Sequence, residues 1–267
     1  MIPLTDHRAA AFNSAVSEQT RRRGFRSTLL VMTLNEVVGM KQVMPRVQKS
    51  WVDQILVLDG GSTDGTVEWA REQGYDVYVQ KKPGFRSAYL EVWPLIKGDV
   101  VVYFTPDGNS IPETIPQLLD KMEEGYEMVI ASRYLGGAHS DDDDPMTAFG
   151  NWMFRTLTNL LLGAKGSARM TDPMVMLRAL RKDLPQRLGL DRPEPFEKLE
   201  KLLRTRVDWI PLMSWRTLNS DIRWCEIPAD EPPRVGGERK LKIFQWGAVY
   251  LTQLLIESTQ RRKKKCC

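Results

Sequence analysis

Residues 54–66 read Gln-Ile-Leu-Val-Leu-Asp-Gly-Gly-Ser-Thr-Asp-Gly-Thr. The apolar run at 54–58 has the length and composition of a strand buried on both faces. Everything after it, from Asp59 to Thr66, is turn and cap chemistry, and a helix over 66–73 follows. The same alternation extends in both directions. Upstream lie a strand at 27–33 and a helix at 37–50. Downstream come a strand at 76–80, a helix at 87–96, a strand at 99–104, a helix at 115–124 and a strand at 128–132. Strands alternating with single helices predict an α/β fold, a mainly parallel sheet with helices on both faces. Ligands of such sheets sit beyond the carboxyl ends of the strands, where the polar clusters of this sequence fall.

The second half changes character. Four aspartates at 141–144 lie in a Gly/Ser/Pro setting and predict a solvated loop. A largely apolar helix is expected over 146–163, a helix over 195–204, a strand over 221–227, and a last helix over 241–259 after a turn-rich stretch at 232–237. No internal repeat or low-complexity linker divides the chain. The expected organisation is a polar extension at 1–26, one main domain at 27–230, and an amphipathic helix with a basic tail at 231–267.

With 267 residues, 42% hydrophobic and 27% charged, the chain can bury a full core, which excludes disorder and collagen. The formal net charge is +4, and residues 261–265 carry five positive charges, so the rest of the chain stands at −1. A near-neutral body with a basic end argues against nucleic acid as a partner and for an anionic membrane surface. Three cysteines cannot form a disulfide framework, which fits a reducing compartment. Residues 1–26 lack an apolar leader and no run of ~18 apolar residues occurs, so neither secretion nor a membrane span is expected.

Two clusters carry chemistry. Asp59 ends a buried strand before two glycines; its carboxylate can accept hydrogen bonds from a nucleobase or ribose, or simply shape a tight strand-to-helix turn. Asp107 and Asn109 offer an anionic and a neutral oxygen two residues apart beyond a strand. They can hold Mg²⁺ or Mn²⁺ together with diphosphate oxygens, or form an Asx turn that caps the next helix.

Taken in order, Thr33-Leu-Asn-Glu36, the run from Asp59 to Thr66, Thr105-Pro-Asp-Gly-Asn-Ser-Ile-Pro-Glu113 and Ala131-Ser-Arg-Tyr134 resemble the successive motifs of family 2 glycosyltransferases with the GT-A fold. Within that family the sequence is most similar to dolichyl- and polyprenyl-phosphate sugar synthases, a likeness extended by Thr171-Asp-Pro-Met-Val-Met-Leu-Arg178 and Arg234-Val-Gly-Gly-Glu-Arg-Lys-Leu241. The resemblance implies a nucleotide pocket of Thr33, Asn35, Glu36, Asp59, Gly61 and Asp107. It implies metal ligands Asp107 and Asn109, with Asp107 and Arg133 catalytic, and Arg133, Arg234 and Lys240 facing phosphates. Thr105 departs from the family's Asp-x-Asp by replacing the first aspartate.

The resemblance further implies a UDP- or GDP-sugar donor, a polyprenyl or dolichyl phosphate acceptor, inversion at the anomeric carbon, and work on the cytoplasmic face of a membrane. A lipid phosphate is anionic at neutral pH and needs no general base, whereas a hydroxyl acceptor would. Glu194, Glu197 and Glu200 read equally as surface charges of a helix, so no base is assigned. Two alternatives stay open: a family 2 transferase with a glycan or other hydroxyl acceptor, and a non-catalytic nucleotide-binding or membrane-scaffolding protein. Cys266 and Cys267 after the basic run resemble a double-cysteine prenylation end.

Overall fold

The computed structural model describes residues 23–164, 166–192, 200, 208–236 and 243–265. Among them seven strands form one sheet: β1 (Ser27–Thr33), β2 (Gln54–Asp59), β3 (Asp76–Val79), β4 (Val100–Phe104), β5 (Met128–Ser132), β6 (Arg178–Arg181) and β7 (Trp224–Pro228). Their order is β3-β2-β1-β4-β6-β5-β7. The helices are α1 (Val37–Val43), α2 (Thr66–Glu72), α3 (Phe85–Val92), α4 (Thr114–Glu123), α5 (Pro145–Leu161), α6 (Leu184–Arg187), α7 (Trp209–Leu218) and α8 (Ile243–Lys265). No helix among the described residues is long and apolar enough to cross a membrane.

The two-residue period of a strand sends alternate side chains to opposite faces, so a strand with both sets apolar needs two covering layers. Leu29 and Val31 of β1 join Val100, Val102 and Phe104 of β4 beneath α1, α2 and α4, through Met40, Val43, Ala70, Ile115, Leu118 and Met122. Leu30, Met32, Val101 and Tyr103 face the other way, under Tyr89 and Val92 of α3, Trp209 and Met213 of α7 and Val249 of α8. A third cluster, Phe154, Leu162, Trp215, Tyr250 and Leu254, ties α5, α7 and α8 together.

The chain leaves β1 toward β2 and β3 on one side, then returns to lay β4 on the other. That reversal opens a crevice at the carboxyl ends of β1 and β4, the switch point where open α/β sheets bind ligands.

Several sequence expectations are corrected. The sheet is mainly parallel, as expected, but it holds a strand the sequence did not show: β6 lies antiparallel between β4 and β5. This strand is four residues long and begins with Arg178, whose charge hides it in an apolar pattern. The Arg178 guanidinium is buried, donating to Ser214 Oγ at 2.9 Å and to the carbonyls of Val175, Ile210 and Pro173. Burial lowers its pKa to about 10, against the opposing pull of Asp172. α1 ends at Val43 instead of Ser50 because Pro45 cannot continue the ladder, and 3-10 turns take over. α3 likewise stops before Pro94. α7 was not expected at all, and the helix predicted over 195–204 lies outside the described residues apart from Glu200.

The run 141–144 is not merely a solvated loop. Asp144 caps α5, accepting from the amides of Met146 and Thr147 at 2.9 Å. Asp143 accepts from Tyr134 Oη at 2.5 Å and Asn151 Nδ2 at 3.2 Å, and Asp142 accepts from Asn109 Nδ2 at 2.9 Å.

Candidate active site

The loop after β2 is built around Asp59, which is fully buried. Its Oδ1 accepts from the amides of Gly61 at 2.8 Å and Ser62 at 2.7 Å; its Oδ2 accepts from Thr33 Oγ1 at 2.8 Å and Ser62 Oγ at 2.5 Å. Four bonds fill the acceptor capacity of a carboxylate. Asp59 therefore holds the turn from behind, a role distinct from the expected contact with a base or ribose. Thr33 sits opposite it in the β1–β2 register, and Gly61 has φ +97°, a conformation that favours glycine.

The β1–α1 turn is sewn onto this loop. Asn35, at φ +53°, donates its amide to Ser62 Oγ and accepts from the Thr63 amide, each at 2.8 Å. The Glu36 amide donates to Thr66 Oγ1 at 3.0 Å. Asp64 accepts from the amides of Val37 and Thr66 at 3.0 Å. Burial raises the Asp64 carboxyl, but the Thr66 hydroxyl and these amides outweigh it, leaving the pKa below its ordinary value.

At the end of β4 the turn is closed by Thr105 Oγ1 and Ser110 Oγ, 3.0 Å apart, and by the Asn109 amide donating to Asp107 Oδ1 at 3.2 Å. The Asx turn is thus present, but it does not cap the next helix, which starts at Thr114 without a side-chain cap. Gly39 lets this turn approach α1: a Cβ there would lie 2.2 Å from the Pro106 carbonyl oxygen. The segment after β7 docks on the turn from above. The Val235 amide donates to the Asp107 carbonyl at 2.8 Å, and Arg234 Nη1 reaches Asp107 Oδ2 at 3.1 Å.

Arg133 was expected to face phosphates. Instead its Nε and Nη2 grip Asp172 at 2.7 and 2.9 Å, its amide donates to the same carboxylate, and Nη1 reaches Glu231 at 3.1 Å. Burial opposes the charge, but the Asp172 carboxylate more than offsets it, so the guanidinium is held protonated above its ordinary range. Arg133 is a positioning residue in this geometry. Arg234 keeps its Nε buried without a partner, an N–H donor still to be satisfied. Lys240 lies outside the described residues.

Of the expected site residues, Asp107, Asn109, Arg133 and Arg234 line a cavity of about 370 Å³ with two unlike sets of side chains, whereas Thr33, Asn35, Glu36, Asp59 and Gly61 are not in its wall. One set holds Asp107, Asn109, Arg133, Asp142, Glu231 and Arg234; the other holds Phe85, Met174, Val175, Pro211, Trp246 and Tyr250. Sequence reading missed Asp172, Glu231 and Asp208. Asp172 lay within the quoted 171–178 motif, but nothing in the sequence pointed to Glu231 or Asp208. Asp208 lines the same cavity and caps α7, accepting from the Ile210 amide at 3.1 Å; burial pushes its carboxyl up to about 6, against the pull of Arg178.

The residues present fit a divalent cation. Asn109 Oδ1 is buried without a hydrogen-bond partner, and Asn109 Nδ2 donates to Asp142 at 2.9 Å and Glu231 at 3.4 Å. On this side the cavity wall carries Asp107, Asn109, Asp142, Asp143, Asp230 and Glu231 with Arg133 and Arg234, and the carboxylate and amide oxygens are hard donors of the kind Mg²⁺ and Mn²⁺ take.

A cleft at the switch point of such a sheet is a ligand site, and comparison with known proteins gives the class. The profile of Glycosyl transferase family 2 matches residues 28–184, more than half of the chain. The chain belongs to glycosyl transferase family 2 and is a glycosyltransferase. It is 26% identical over 252 residues to a polyprenol monophosphomannose synthase of Mycolicibacterium smegmatis, covering 83% of this chain and 87% of that one. It is 27% identical over 222 residues to an undecaprenyl-phosphate mannosyltransferase of Micrococcus luteus, covering 79% and 86%. Among solved structures, glucosyl-3-phosphoglycerate synthase of Mycobacterium tuberculosis, in complex with Mn²⁺, UDP and phosphoglyceric acid, superposes with a TM-score of 0.59 at 20% identity, covering 88% of this chain and 79% of that one. The shared fold is the GT-A architecture expected from the motifs.

Proposed function

We propose that the protein moves one sugar from a UDP- or GDP-sugar to a polyprenyl or dolichyl phosphate, with inversion, working peripherally on the cytoplasmic face of a membrane. The observation that carries this reading is the mixed lining of one open cavity: the Asp107–Asn109 turn and the aromatic cluster of Phe85, Trp246 and Tyr250 share its wall. The polar set suits a diphosphate with its cation. The apolar set suits the first isoprene units of a lipid phosphate. The names of the two mannosyl-transferring relatives support the same acceptor class.

Asp107 and Asn109 would hold Mg²⁺ or Mn²⁺, which when bound neutralises charge building on the leaving diphosphate. The protein's own contribution is positional. Asp59 and Asn35 stiffen the loops that border the nucleotide side. Asp172 and Glu231 fix Arg133, and Arg133 in turn fixes the strand end beside Ser132. Arg234, whose Nε is buried without a partner, is the guanidinium of this cavity with a donor left to offer a phosphate. A lipid phosphate is nucleophilic without deprotonation, so once aligned in line with the sugar C1 it needs no base.

One observation favours a second reading. Asp208, a carboxyl raised to about 6 in the cavity wall, is suited to act as general base for a hydroxyl acceptor. An assay of UDP- and GDP-sugars against polyprenyl phosphate and against free glycans, with and without Mn²⁺, separates the two. Metal-dependent formation of a polyprenyl-phosphate sugar supports the first reading; transfer to glycans alone overturns it.

A further inference from the structure

α5 is apolar on both sides. One side, with Phe154, Leu157 and Leu161, packs into the cluster shared with α7 and α8. The other side faces water: Met146 is 50% exposed, Phe149 56%, Trp152 53% and Leu160 71%. At 100° per residue, Met146, Phe149, Trp152, Thr156 and Leu160 fall within an arc of about 120°, a continuous stripe rather than scattered exposure. The rings of Phe149 and Trp152 lie 5.8 Å apart on it. From residue 145 to 163 the only charged side chain is Arg155. A soluble helix that buries one apolar face has no reason of its own to carry a second.

Beside this stripe lies a second cavity, of about 890 Å³, between α5 and the edge strand β7. Trp152, Trp224 and Tyr126 are in its wall, with Arg155, Arg169 and Arg223 from three separate segments. None of these guanidiniums is in a salt bridge with a described residue. Arg155 stacks on Tyr134, and Arg223 stacks on Tyr126 and donates to the Glu124 carbonyl. The one acid in the wall, Glu226, is consumed by the amides of Thr171 and Asp172 and the Thr171 hydroxyl. Three guanidiniums against one carboxylate, none of them ion-paired with a described residue and two stacked on aromatic rings, suit a phosphate-bearing anion. Trp152 belongs to both features, so the apolar stripe and the cationic cavity are one surface.

We propose that this surface docks on an anionic phospholipid bilayer, the stripe entering the acyl boundary and the arginine cavity taking lipid headgroup phosphate. Apolar residues on one helix face flanked by cations are the pattern of helices that lie in the membrane interface. The placement deepens the lipid-acceptor reading and is argued independently of it. Thr147 and Asn151 of the same helix line the catalytic cavity. From Thr147 to Arg155 the helix rises about 12 Å. A helix seated on the bilayer therefore keeps the catalytic cavity, whose wall it shares, beside the membrane surface.

The test is flotation of the full chain, residues 261–267 retained in every form, with vesicles of phosphatidylcholine alone or mixed with phosphatidylglycerol. Wild type should float with the anionic vesicles and little with the neutral ones. Arg169→Glu with Arg223→Glu should cut partitioning by at least about tenfold, at roughly 1 kcal/mol per charge near the surface. Phe149→Ser with Trp152→Ser should cut it comparably. Both double variants should keep the wild-type circular dichroism and turnover on a short-chain, water-soluble polyprenyl phosphate. Flotation of either variant equal to wild type, or no flotation of wild type, overturns the proposal. Loss in the arginine variant alone marks a soluble-phosphate site instead. Failure of every form to turn over the prenyl phosphate would strike the transfer reading while leaving the flotation result to judge the docking surface.

Discussion

Arg234 Nη1 lies 3.1 Å from Asp107 Oδ2. The carboxylate that would hold a divalent cation is thus already paired with a cation of the chain itself, delivered by the segment that follows β7. Cation binding and release of Arg234 toward a phosphate would be two sides of one exchange.

Asp107→Ala should abolish Mn²⁺ binding and lower transfer at least about a hundredfold, with Asn109→Ala milder. Arg234→Met should separate the two effects: Mn²⁺ affinity of the nucleotide-free protein rises by up to about tenfold as Asp107 loses its competitor, while transfer falls. Thr105→Asp, which supplies the family's usual second carboxylate, should keep or tighten Mn²⁺ binding. Electron paramagnetic resonance titration of Mn²⁺ reads all of these without turnover.

Asp59→Asn leaves one acceptor oxygen where the structure uses two. If Asp59 acts by holding the loop, stability should fall by about 1–3 kcal/mol together with nucleoside diphosphate affinity. Urea denaturation alongside calorimetry decides: lost affinity at unchanged stability would mean that the carboxylate meets the base directly.

Asp172→Asn or Arg133→Met alone strands a buried charge and should cost about 3–5 kcal/mol, whereas the double variant should be less destabilised than the sum of the two. Chemical denaturation of the four forms measures the coupling, and a coupling near zero would refute the clamp.

Asp208 has a folded pKa of about 6 against an ordinary 3.8. The folded state therefore binds more protons between these values, so this group lowers stability as pH rises from about 4 to 6 and its penalty is complete above that. Asp208→Asn keeps the α7 cap and should stabilise the protein by about 1–3 kcal/mol at pH 7, the gain fading toward pH 4. Melting curves across that range check it. Retained prenyl-phosphate transfer with lost glycan transfer would assign Asp208 to a hydroxyl acceptor.

The sequence showed the strands whose faces are both apolar, such as β1, β2 and β5, because continuous burial leaves a continuous run. It showed Asp59 and Asp107 because each follows such a run. β6 stayed hidden because a buried arginine satisfied by carbonyls looks like a surface residue in one dimension. The partners of Arg133 were illegible for a related reason: they lie 39 and 98 residues away, and charge gives no hint of which carboxylate will be buried beside it. Asp141 to Asp144 read as one acidic run, yet the fold gives different jobs to Asp142, Asp143 and Asp144, which depends on backbone direction and not on composition.

Arg133 also sets a schedule. A ribosome delivers this chain from the amino end, and by Arg181 six of the seven strands exist, including every turn that resembles a nucleotide pocket. Yet Glu231 and Arg234, which finish the Arg133 clamp and cover Asp107, have not been made. A nascent or prematurely terminated chain would therefore carry an acidic turn that lacks its Arg234 cover and the Glu231 side of the Arg133 clamp.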